Sequence, residues 1–454
     1  MKKIFTLLLI AFLSINIQAQ CWKAIAGESD ISLAIRADGT LWSWGNGYHG
    51  NGQNLNSKLT AEQVGTDNNW KSIAAGSFNI LGIKNDNTLW AWGANYNGQC
   101  GNGTYNTILT TPTQIGTDNN WKTVSVGVYH CVGIKADSTL WVWGGNYSGQ
   151  LGDGTNIDKN TPIQIGTSHD WKSIATGHYH TVAIKTDGTI WAWGNNTYGQ
   201  IGDFSSSNNR YNPEKLGTDT DWKTCGAGLN HSMAIKNNGT LWMWGANNAG
   251  QLGNGATTAT YNPTQLGTAT NWQTVSGETD QSFAIKTDST LWAWGYNAYG
   301  DLGDGTNSNK LTPTQITTNT NWKYINGGRD HTLALKTNGD LWSWGRNIFG
   351  QLGDGTTTDK ITPTFVSCQT LGIKETAADK GQFSFYPNPA TDVIYFANPN
   401  NQTINKVMVL DLSGRKILET NENANSVNIQ HLEKGMYQLQ MFSEGQQHAF
   451  KFVK

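Results

Sequence analysis

The chain has 454 residues, and its 31 Lys and Arg nearly balance its 33 Asp and Glu. A formal net charge of −2 argues against a nucleic-acid partner, which would need a basic stripe. Only 14% of the residues are charged, well below the usual quarter, whereas glycine is abundant at 53 residues. This composition favours an exported β protein.

Residues 1–19 have the pattern of a targeting segment. Lys2 and Lys3 precede the apolar run Ile4–Leu13, and Ile17-Gln18-Ala19 is similar to a small-residue cleavage site. The run is too short to span a membrane, and no apolar stretch of membrane-spanning length follows it. We therefore predict a signal peptide over 1–19 and no membrane span in the mature chain. A lipoprotein acylated at Cys21 is the alternative, although Gln20 stands where a small residue is normally needed.

Residues 20–368 contain seven copies of a repeat. Its clearest element is Leu-Trp-x-Trp-Gly, whose first tryptophans lie 48 to 51 residues apart, and a third tryptophan lies 20 residues upstream in each copy. These account for all 21 tryptophans in the chain. A fixed period of this size indicates a repeat architecture. The copies of the element begin at Leu41, Leu89, Leu140, Ile190, Leu241, Leu291 and Leu341.

Each repeat holds four short segments of β-branched and aromatic residues, which predict strands. In one copy they are Pro162–Ile165, Trp171–Ala175, His180–Lys185 and Thr189–Gly194. Asp187-Gly188 predicts a tight hairpin turn, because such pairs tolerate positive φ. Short links within a blade and a long Gly/Asn-rich link between blades predict an all-β, seven-bladed β-propeller whose blades begin with the Pro-Thr-x-Ile strand.

The two ends of the repeat region complement each other. The first repeat begins at Trp22 without a Pro-Thr-x-Ile strand, and the last ends with Pro363–Val366. We predict that this last strand pairs beside Trp22–Ala26 and closes the ring. Cys21 and Cys368 flank the same junction, which predicts a disulfide in an exported protein.

The other cysteines give weaker signals. Cys225 is expected to be a buried apolar side chain, because it stands where Ile174 and Val124 stand in other repeats. The sequence leaves open whether Cys100 and Cys131 are bonded.

The repeated side chains predict a scaffold rather than a reaction centre. Both tryptophans of each element face one side of a strand and are expected to pack between blades; an aromatic ligand cage is the alternative. The repeated histidines are a whole blade apart, so a bond to a neighbouring backbone group is favoured over metal binding or catalysis. The sequence shows no catalytic motif, and we expect no metal, no cofactor and no enzymatic activity. Calcium-binding turns are a minor alternative at Asp153, Asp304 and Asp354.

The repeat resembles the regulator of chromosome condensation repeat. The pattern is Gly177-x-x-His180-Thr-Val-Ala183-Ile-Lys-x-Asp-Gly188-x-Ile190-Trp-x-Trp-Gly194-x-Asn-x-x-Gly199-Gln200-Ile-Gly202, and the resemblance covers residues 21 to about 368. It implies a seven-bladed propeller. Two kinds of departure stand out: Glu28 and Glu278 replace the repeated glycine, and Ile31, Asn79 and Gln281 replace the histidine.

The periodicity stops at a predicted linker, 369–382, which precedes a second domain, 383–454. This domain resembles the C-terminal sorting domain of the type IX secretion system, through Tyr386-Pro387-Asn388-Pro389-Ala390 and the terminal Lys451–Lys454. The resemblance implies handling by the type IX secretion machinery, followed by release or attachment at the cell surface, and a small β-sandwich fold. Strands are predicted at Val393–Ala397, Lys406–Leu412, Ser426–Ile429, Met436–Phe442 and His448–Val453.

We predict a non-enzymatic binding scaffold for a protein or glycan ligand, with a secreted hydrolase or lyase as the alternative. The loop before the histidine strand and the long connection after Leu-Trp-x-Trp-Gly are expected to share one face, and both vary between blades. Their aromatic and arginine side chains suit recognition. They could equally pack the loops onto the blades. The set is Tyr48, Phe78, Tyr96, Tyr129, Tyr147, Tyr179, Tyr198, Tyr299, Arg329, Arg346 and Phe349.

Overall fold

A computed structural model describes residues 21–367, 384–386, 390–397, 403–411, 416–421, 425–433, 435–443 and 446–454. The chain divides into two compact units, Met1–Cys368 and Gln369–Lys454. The predicted signal peptide, the predicted linker and Cys368 lie outside the described residues. The described part of the chain is built of strands and turns without a helix, which confirms the all-β prediction.

The first unit contains seven four-stranded antiparallel sheets, the blades, each formed by four consecutive strands. In chain order the strands are β1 Trp22–Glu28, β2 Ile31–Arg36, β3 Leu41–Gly47 and β4 Asn56–Gln63; β5 Trp70–Ala75, β6 Asn79–Lys84, β7 Leu89–Asn95 and β8 Thr107–Gln114; β9 Trp121–Val126, β10 His130–Lys135, β11 Leu140–Gly144 and β12 Lys159–Gln164; β13 Trp171–Thr176, β14 His180–Lys185, β15 Ile190–Gly194 and β16 Arg210–Lys215; β17 Trp222–Ala227, β18 His231–Lys236, β19 Leu241–Gly245 and β20 Thr260–Gln265; β21 Trp272–Gly277, β22 Gln281–Lys286, β23 Leu291–Gly295 and β24 Lys310–Ile316; β25 Trp322–Gly327, β26 His331–Lys336, β27 Leu341–Gly345 and β28 Lys360–Val366.

The prediction of where each blade begins is wrong. The Pro-Thr-x-Ile strand is the fourth strand of its own blade: β28 pairs with β27 through Leu341↔Val366 and does not lie beside Trp22–Ala26. The long Gly/Asn-rich connection therefore lies within a blade, and the short polar link crosses to the next one. The repeat has the same period whichever strand is counted first. The sequence alone therefore could not show whether a blade begins with the Pro-Thr-x-Ile strand or ends with it.

The long connection nevertheless contacts the neighbouring blade. The amide of Gly154, in the connection of blade 3, donates to the carbonyl of Tyr211 in the fourth strand of blade 4, over 2.8 Å. Equivalent bonds join other neighbouring blades, including Gly355 of blade 7 to Leu59 of blade 1. Each connection thus covers part of an exposed strand edge, which protects the edge from pairing with other chains.

The ring closes by the same contacts that join every other pair of blades. The first strands contact one another in a closed circle that includes β25 with β1. At the junction, Trp22 N donates to Gly339 O over 3.1 Å, the same length as the Trp171 N to Ser138 O bond between blades 3 and 4. Closure therefore requires no strand exchange between the ends of the chain.

Tryptophans form the contacts between blades, as predicted. In blade 4, Trp171 packs edge-on against Trp191 and Trp193, with both pairs of ring centroids 6.1 Å apart. Trp193 is fully buried, and its Nε1 donates to the carbonyl oxygen of Gln150 in blade 3 over 2.9 Å. Buried indoles normally find such a partner. The ligand-cage alternative has no support at these buried positions.

The second unit has two antiparallel sheets. One contains β29 Ser384–Tyr386, β30 Val393–Ala397 and β33 Ser426–Asn428; the other contains β31 Ile404–Leu410, β32 Lys416–Asn421, β34 Met436–Ser443 and β35 Gln446–Val453. Apolar side chains from both sheets, such as Ile394 and Leu439, share one buried cluster. All five predicted strands are present in this unit. The sequence interpretation missed β29 and β32.

Candidate functional site

The blades present two ends with different chemistry. At one end, the loop face, the loops between first and second strands meet the connections between third and fourth strands: Gly145 N donates to Tyr129 O over 2.7 Å and Asn195 N to Tyr179 O over 2.8 Å. At the other end, the turn face, lie the turns between second and third strands and the links between blades. The predicted grouping of loops is therefore present, despite the wrong starting strand, because strand direction alternates identically in either choice.

Polar side chains on the turn face stabilise the scaffold. The carboxylate of Asp187 accepts hydrogen bonds from Thr189 N at 2.9 Å and Thr189 Oγ1 at 2.7 Å, and Thr189 in turn accepts from Trp191 Nε1 at 2.9 Å. Asp67 pairs with Lys84 at 2.8 Å, while the ammonium group of Lys84 lies 3.5 Å from the ring centroid of Trp90. These side chains are already engaged within the protein.

The predicted binding residues of the loop face differ in exposure. Tyr48 is buried in the core cluster of the first two blades, so its place in the predicted set is wrong. Five members are exposed: Phe78, Tyr96, Tyr147, Tyr198 and Arg329. Five are half-buried: Tyr129, Tyr179, Tyr299, Arg346 and Phe349.

Three of these residues form an aromatic strip across blades 2, 3 and 4. Phe78 and Tyr129 stack at 6.4 Å between ring centroids, and Tyr129 and Tyr179 stack at 6.1 Å. The ring of Tyr147 packs at a tilt against Tyr179, with 5.1 Å between ring centroids, and His178 stacks on Tyr179 at 4.2 Å. Phe78 is 43% exposed, Tyr147 beside the strip is 48% exposed, and Tyr129 and Tyr179 are half-buried, so solvent reaches the strip along its length.

The same position of the repeat carries acids in blades 6, 7 and 1. Asp280, Asp330 and Asp30, the acidic sector, replace the strip residues there. Asp330 accepts from Arg329 Nε at 3.2 Å and from Arg346 Nη1 at 3.1 Å. Arg346 also lies over the ring of Tyr299, 4.8 Å from its centroid. Comparison of one position across the repeats would have found this sector.

Two glutamates, the half-buried Glu28 and the buried Glu278, lie at the centre of the loop face. Glu28 and Glu278 line a cavity of about 50 Å³ on the propeller axis, together with His178 and loop residues of blades 3, 4 and 5. Burial raises the pKa of Glu28 to about 7, although Ser77 Oγ donates to it at 3.2 Å. Burial, and then the charge of Glu28, raise the pKa of Glu278 well above its ordinary value. This is the kind of perturbed carboxyl pair found at functional sites.

The glutamates occur where the repeated histidine is missing. In blades 3, 4, 5 and 7 a glycine stands at their position, and the histidine ring packs against it: a Cβ on Gly228, for example, would clash with the ring of His231. In blades 1 and 6, Ile31 and Gln281 replace the histidine. Blade 2 keeps its glycine, Gly76, although Asn79 replaces the histidine, so loss of the histidine makes room for a glutamate without requiring one.

The four repeated histidines, His130, His180, His231 and His331, join neighbouring blades. His180 Nε2 lies 2.9 Å from Ser232 Oγ, and Ser232 Oγ donates to Gln200 O at 2.7 Å. The imidazole must therefore donate through Nε2, which fits a neutral ring. Burial lowers the pKa of His180 to about 3. The predicted scaffold role fits this network, although the partner is a hydroxyl of the next blade rather than a backbone group.

The carboxylates considered for calcium are occupied by protein donors. Asp153 accepts from Thr155 N, Thr155 Oγ1 and Asn146 Nδ2 and pairs with Lys159 at 2.8 Å. Asp304 and Asp354 have the equivalent lysine partners. Among the described residues, no three His, Cys, Asp or Glu side chains are arranged to hold a metal ion.

Cys100, Cys131 and Cys225 are buried free thiols. Cys225 belongs to the core cluster of blades 4 and 5, in line with its predicted role as an apolar side chain. Burial raises the pKa of Cys100 and of Cys225 to about 12. Because Cys368 lies outside the described residues, its bond to Cys21 stays a prediction.

Models of two families match the chain. The regulator of chromosome condensation (RCC1) repeat matches residues 86–134, 137–184, 187–235, 238–285, 288–335 and 338–373. The secretion system C-terminal sorting domain matches residues 384–454. No curated protein matches the chain.

Solved structures share the fold at low sequence identity. The structure of Prp20p from Saccharomyces cerevisiae is 19% identical, with a TM-score of 0.64 over 81% of this chain and 90% of that one. Human WBSCR16 is 20% identical, with a TM-score of 0.63 over 70% of this chain and 88% of that one. The described part of the chain contains no helix with the length and apolarity of a membrane span. The chain is therefore a member of the regulator of chromosome condensation (RCC1) repeat family, and it ends in a sorting domain that indicates type IX export to the cell surface or beyond.

Proposed function

We propose that the chain is an exported, non-enzymatic binding scaffold that recognises a protein or a glycan through its loop face. The observation that carries the proposal is the aromatic strip of Phe78, Tyr129 and Tyr179, which is open to solvent and changes character around the ring. Exposed aromatic side chains in contact with one another are typical of binding hot spots. On the turn face, by contrast, polar side chains such as Asp187 and Asp67 are bonded to other groups of the propeller.

A binding assay with matched variants tests the face. The immobilised full chain is incubated with a cell-surface protein extract and, separately, with a glycan array. Replacing Tyr129, Tyr179 and Arg329 by alanine should abolish retention of whatever the wild type binds. The control replaces Thr66, Thr117 and Asn119, which are exposed on the turn face. Asp67 and Asp118 are unsuitable controls, because they pair with Lys84 and Lys135. Retention lost only in the control variant would place binding on the wrong face.

One observation favours the alternative of a hydrolase or lyase. Ionisable residues outside the repeat pattern cluster on the loop face, and a carboxyl pair with raised pKa values suits acid–base chemistry. The cavity beside this pair, however, has room for only a few water molecules at about 50 Å³, which is too small for a polymeric substrate. A broad hydrolase and lyase screen should therefore find no activity that Glu28→Gln removes.

The sorting domain supports the proposed route of export. Deleting residues 383–454 should leave the propeller folded but retained in the periplasm, because the second unit has its own core. Immunoblots of periplasm, surface and medium measure the outcome. Normal appearance of the truncated chain in the medium would contradict this route.

A further inference from the structure

The aromatic strip reaches the axial cavity, and Asp280 and Asp30 of the acidic sector lie two residues along the chain from the glutamates that line it. His178 stacks on Tyr179 of the strip and also lines the axial cavity that contains Glu28 and Glu278. A single ligand that lies across the axis would therefore contact aromatic rings on one side and carboxylates on the other. The chemistry of both sides restricts what that ligand can be.

The acidic side is only partly compensated by basic groups, because Arg329 and Arg346, which also act on Asp30, are two cations among three aspartates. Within the described chain, Asp330 is the acid of this region that forms ion pairs with Arg329 and Arg346. Asp280 and Asp30 accept hydrogen bonds from the neutral amides of Gln251, at 2.7 Å, and Gln351, at 3.3 Å.

The buried carboxyl group of Asp301 gives a second, independent indication that this side of the face binds a cationic group. Asp301 is 1% exposed and stands where other blades carry glutamine, and its Oδ1 has no hydrogen-bond partner. Burial, and then the charge of Asp330, raise its pKa to about 8. Protons thus neutralise several carboxyls that a cation could neutralise instead.

We infer that the loop face recognises a polypeptide that places a lysine or arginine side chain on the acidic sector while an apolar or aromatic segment lies along the aromatic strip. This rests on the proposed function and names its partner class. Tyrosine, asparagine, serine and glycine, which dominate the face, are the residues that protein-binding loops use for rigid contact and adaptable hydrogen bonding. Complementary charge sets partner choice and speeds association. Nucleic acids, anionic glycans and anionic lipids carry the wrong sign.

Selection from a random peptide library tests the inference. The full chain is used to select short displayed peptides, and the tightest are synthesised and titrated calorimetrically. The selected peptides should be enriched in Lys and Arg beside aromatic or apolar residues. The variant D30N/D280N should weaken their binding by at least about tenfold, while the shape of the face is kept. The control E62Q/E214Q removes two exposed carboxylates from outer strands, each with its own basic partner, Lys58 and Arg210, and should leave peptide affinity unchanged.

A second readout separates electrostatic recognition from a structural effect. A bound cation should release protons from Glu28 and Asp301, so the binding enthalpy should depend on the ionisation enthalpy of the buffer. Peptides that bind in a Tyr129-dependent manner, carry no surplus of basic residues and ignore D30N/D280N would overturn the inference and leave the proposed function standing. Binding of neutral oligosaccharides without peptide binding would also overturn it. Absence of both would overturn the proposed function as well.

Discussion

The aromatic and acidic halves of the loop face occupy one repeat position on one scaffold. Phe78, Tyr129 and Tyr179 stand in blades 2 to 4 where Asp280, Asp330 and Asp30 stand in blades 6, 7 and 1. Behind both halves, the tryptophan of one blade donates to a carbonyl of its neighbour: Trp193 to Gln150 at 2.9 Å and Trp344 to Asp301 at 2.8 Å. Because that contact uses the backbone of the connection, the exposed side chains can change without loss of the fold.

The acidic half also contains the junction of the ring, whereas peptide links join the blades of the aromatic half. A Cys21–Cys368 disulfide would replace the missing link between blades 7 and 1. Removing it with C21A/C368A should lower the free energy of unfolding by roughly 5 kcal/mol at most, because it closes a loop of nearly the whole propeller. Chemical denaturation measures the change, with and without reductant.

Peptide mapping without reductant tests the bond itself. The native buried thiols Cys100, Cys131 and Cys225 should resist alkylation and leave the readout clean. Two free thiols at Cys21 and Cys368 in protein purified without reductant would contradict the prediction.

The second test compares blade 5, which keeps the repeated glycine and histidine, with the acidic half, where Glu278 and Gln281 replace them. Gly228→Ala should destabilise by about 3 kcal/mol, because the added methyl group meets the ring of His231 and the backbone of Glu278. In the acidic half the matched change Glu278→Ala meets no such ring. Adding His231→Gln to Gly228→Ala should restore part of the loss. Equal costs at Gly228 and Glu278 in urea unfolding would show that the glycine and the histidine are not coupled.

The third test uses pH. Glu28 has a pKa of about 7 in the folded chain against an ordinary value of 4.5, so the folded state binds more protons between these values. Its contribution to stability is therefore full below pH 4.5 and is lost as pH rises through 7. E28Q/E278Q should be more stable than the wild type at pH 8 by roughly 1–3 kcal/mol, and E62Q should not.

The acid side of the same profile is an internal control. The pKa of His231 is lowered to about 3 by burial, so its contribution is lost as pH falls below 6.5 in every one of these variants. Thermal unfolding over the pH range measures both limbs. A variant that flattens the acid limb and leaves the alkaline limb steep would show that the glutamates do not carry this effect.

The sequence was sufficient for the fold because its strongest signals are scaffold signals. The period, the tryptophans and a two-residue turn of the Asp-Gly kind recur in each blade. The structure shows why: the second turn residue has a positive φ, 77° at Gly188 and 64° at Ser138, and Trp193 joins two blades. The starting strand could not be derived, since a repeat has no marked beginning. For the same reason the C-terminal strand was placed in the wrong blade.

The site was only partly accessible to the same reasoning. Arg329 and the strip residues were found because aromatic and arginine side chains stand out in a loop. Asp280 and Asp330 were missed, because an acid in a loop looks ordinary until its equivalents are aligned. The proximity of Glu28 and Glu278 across the axis can be seen only in the folded structure, since 249 residues of chain separate them. Such contacts depend on ring closure.

The smallest predicted change in unfolding free energy tests whether the aromatic strip binds a partner or stabilises the fold. The alternative is that Phe78, Tyr129 and Tyr147 pack loops onto the blades. Because Phe78 and Tyr147 are nearly half exposed, replacing either by alanine should cost less than about 1 kcal/mol of unfolding free energy. The matched core change Trp193→Ala should cost about 3–5 kcal/mol. A strip variant that approaches the cost of Trp193→Ala would assign the strip to the scaffold, whereas a neutral variant that loses partner binding would assign it to recognition.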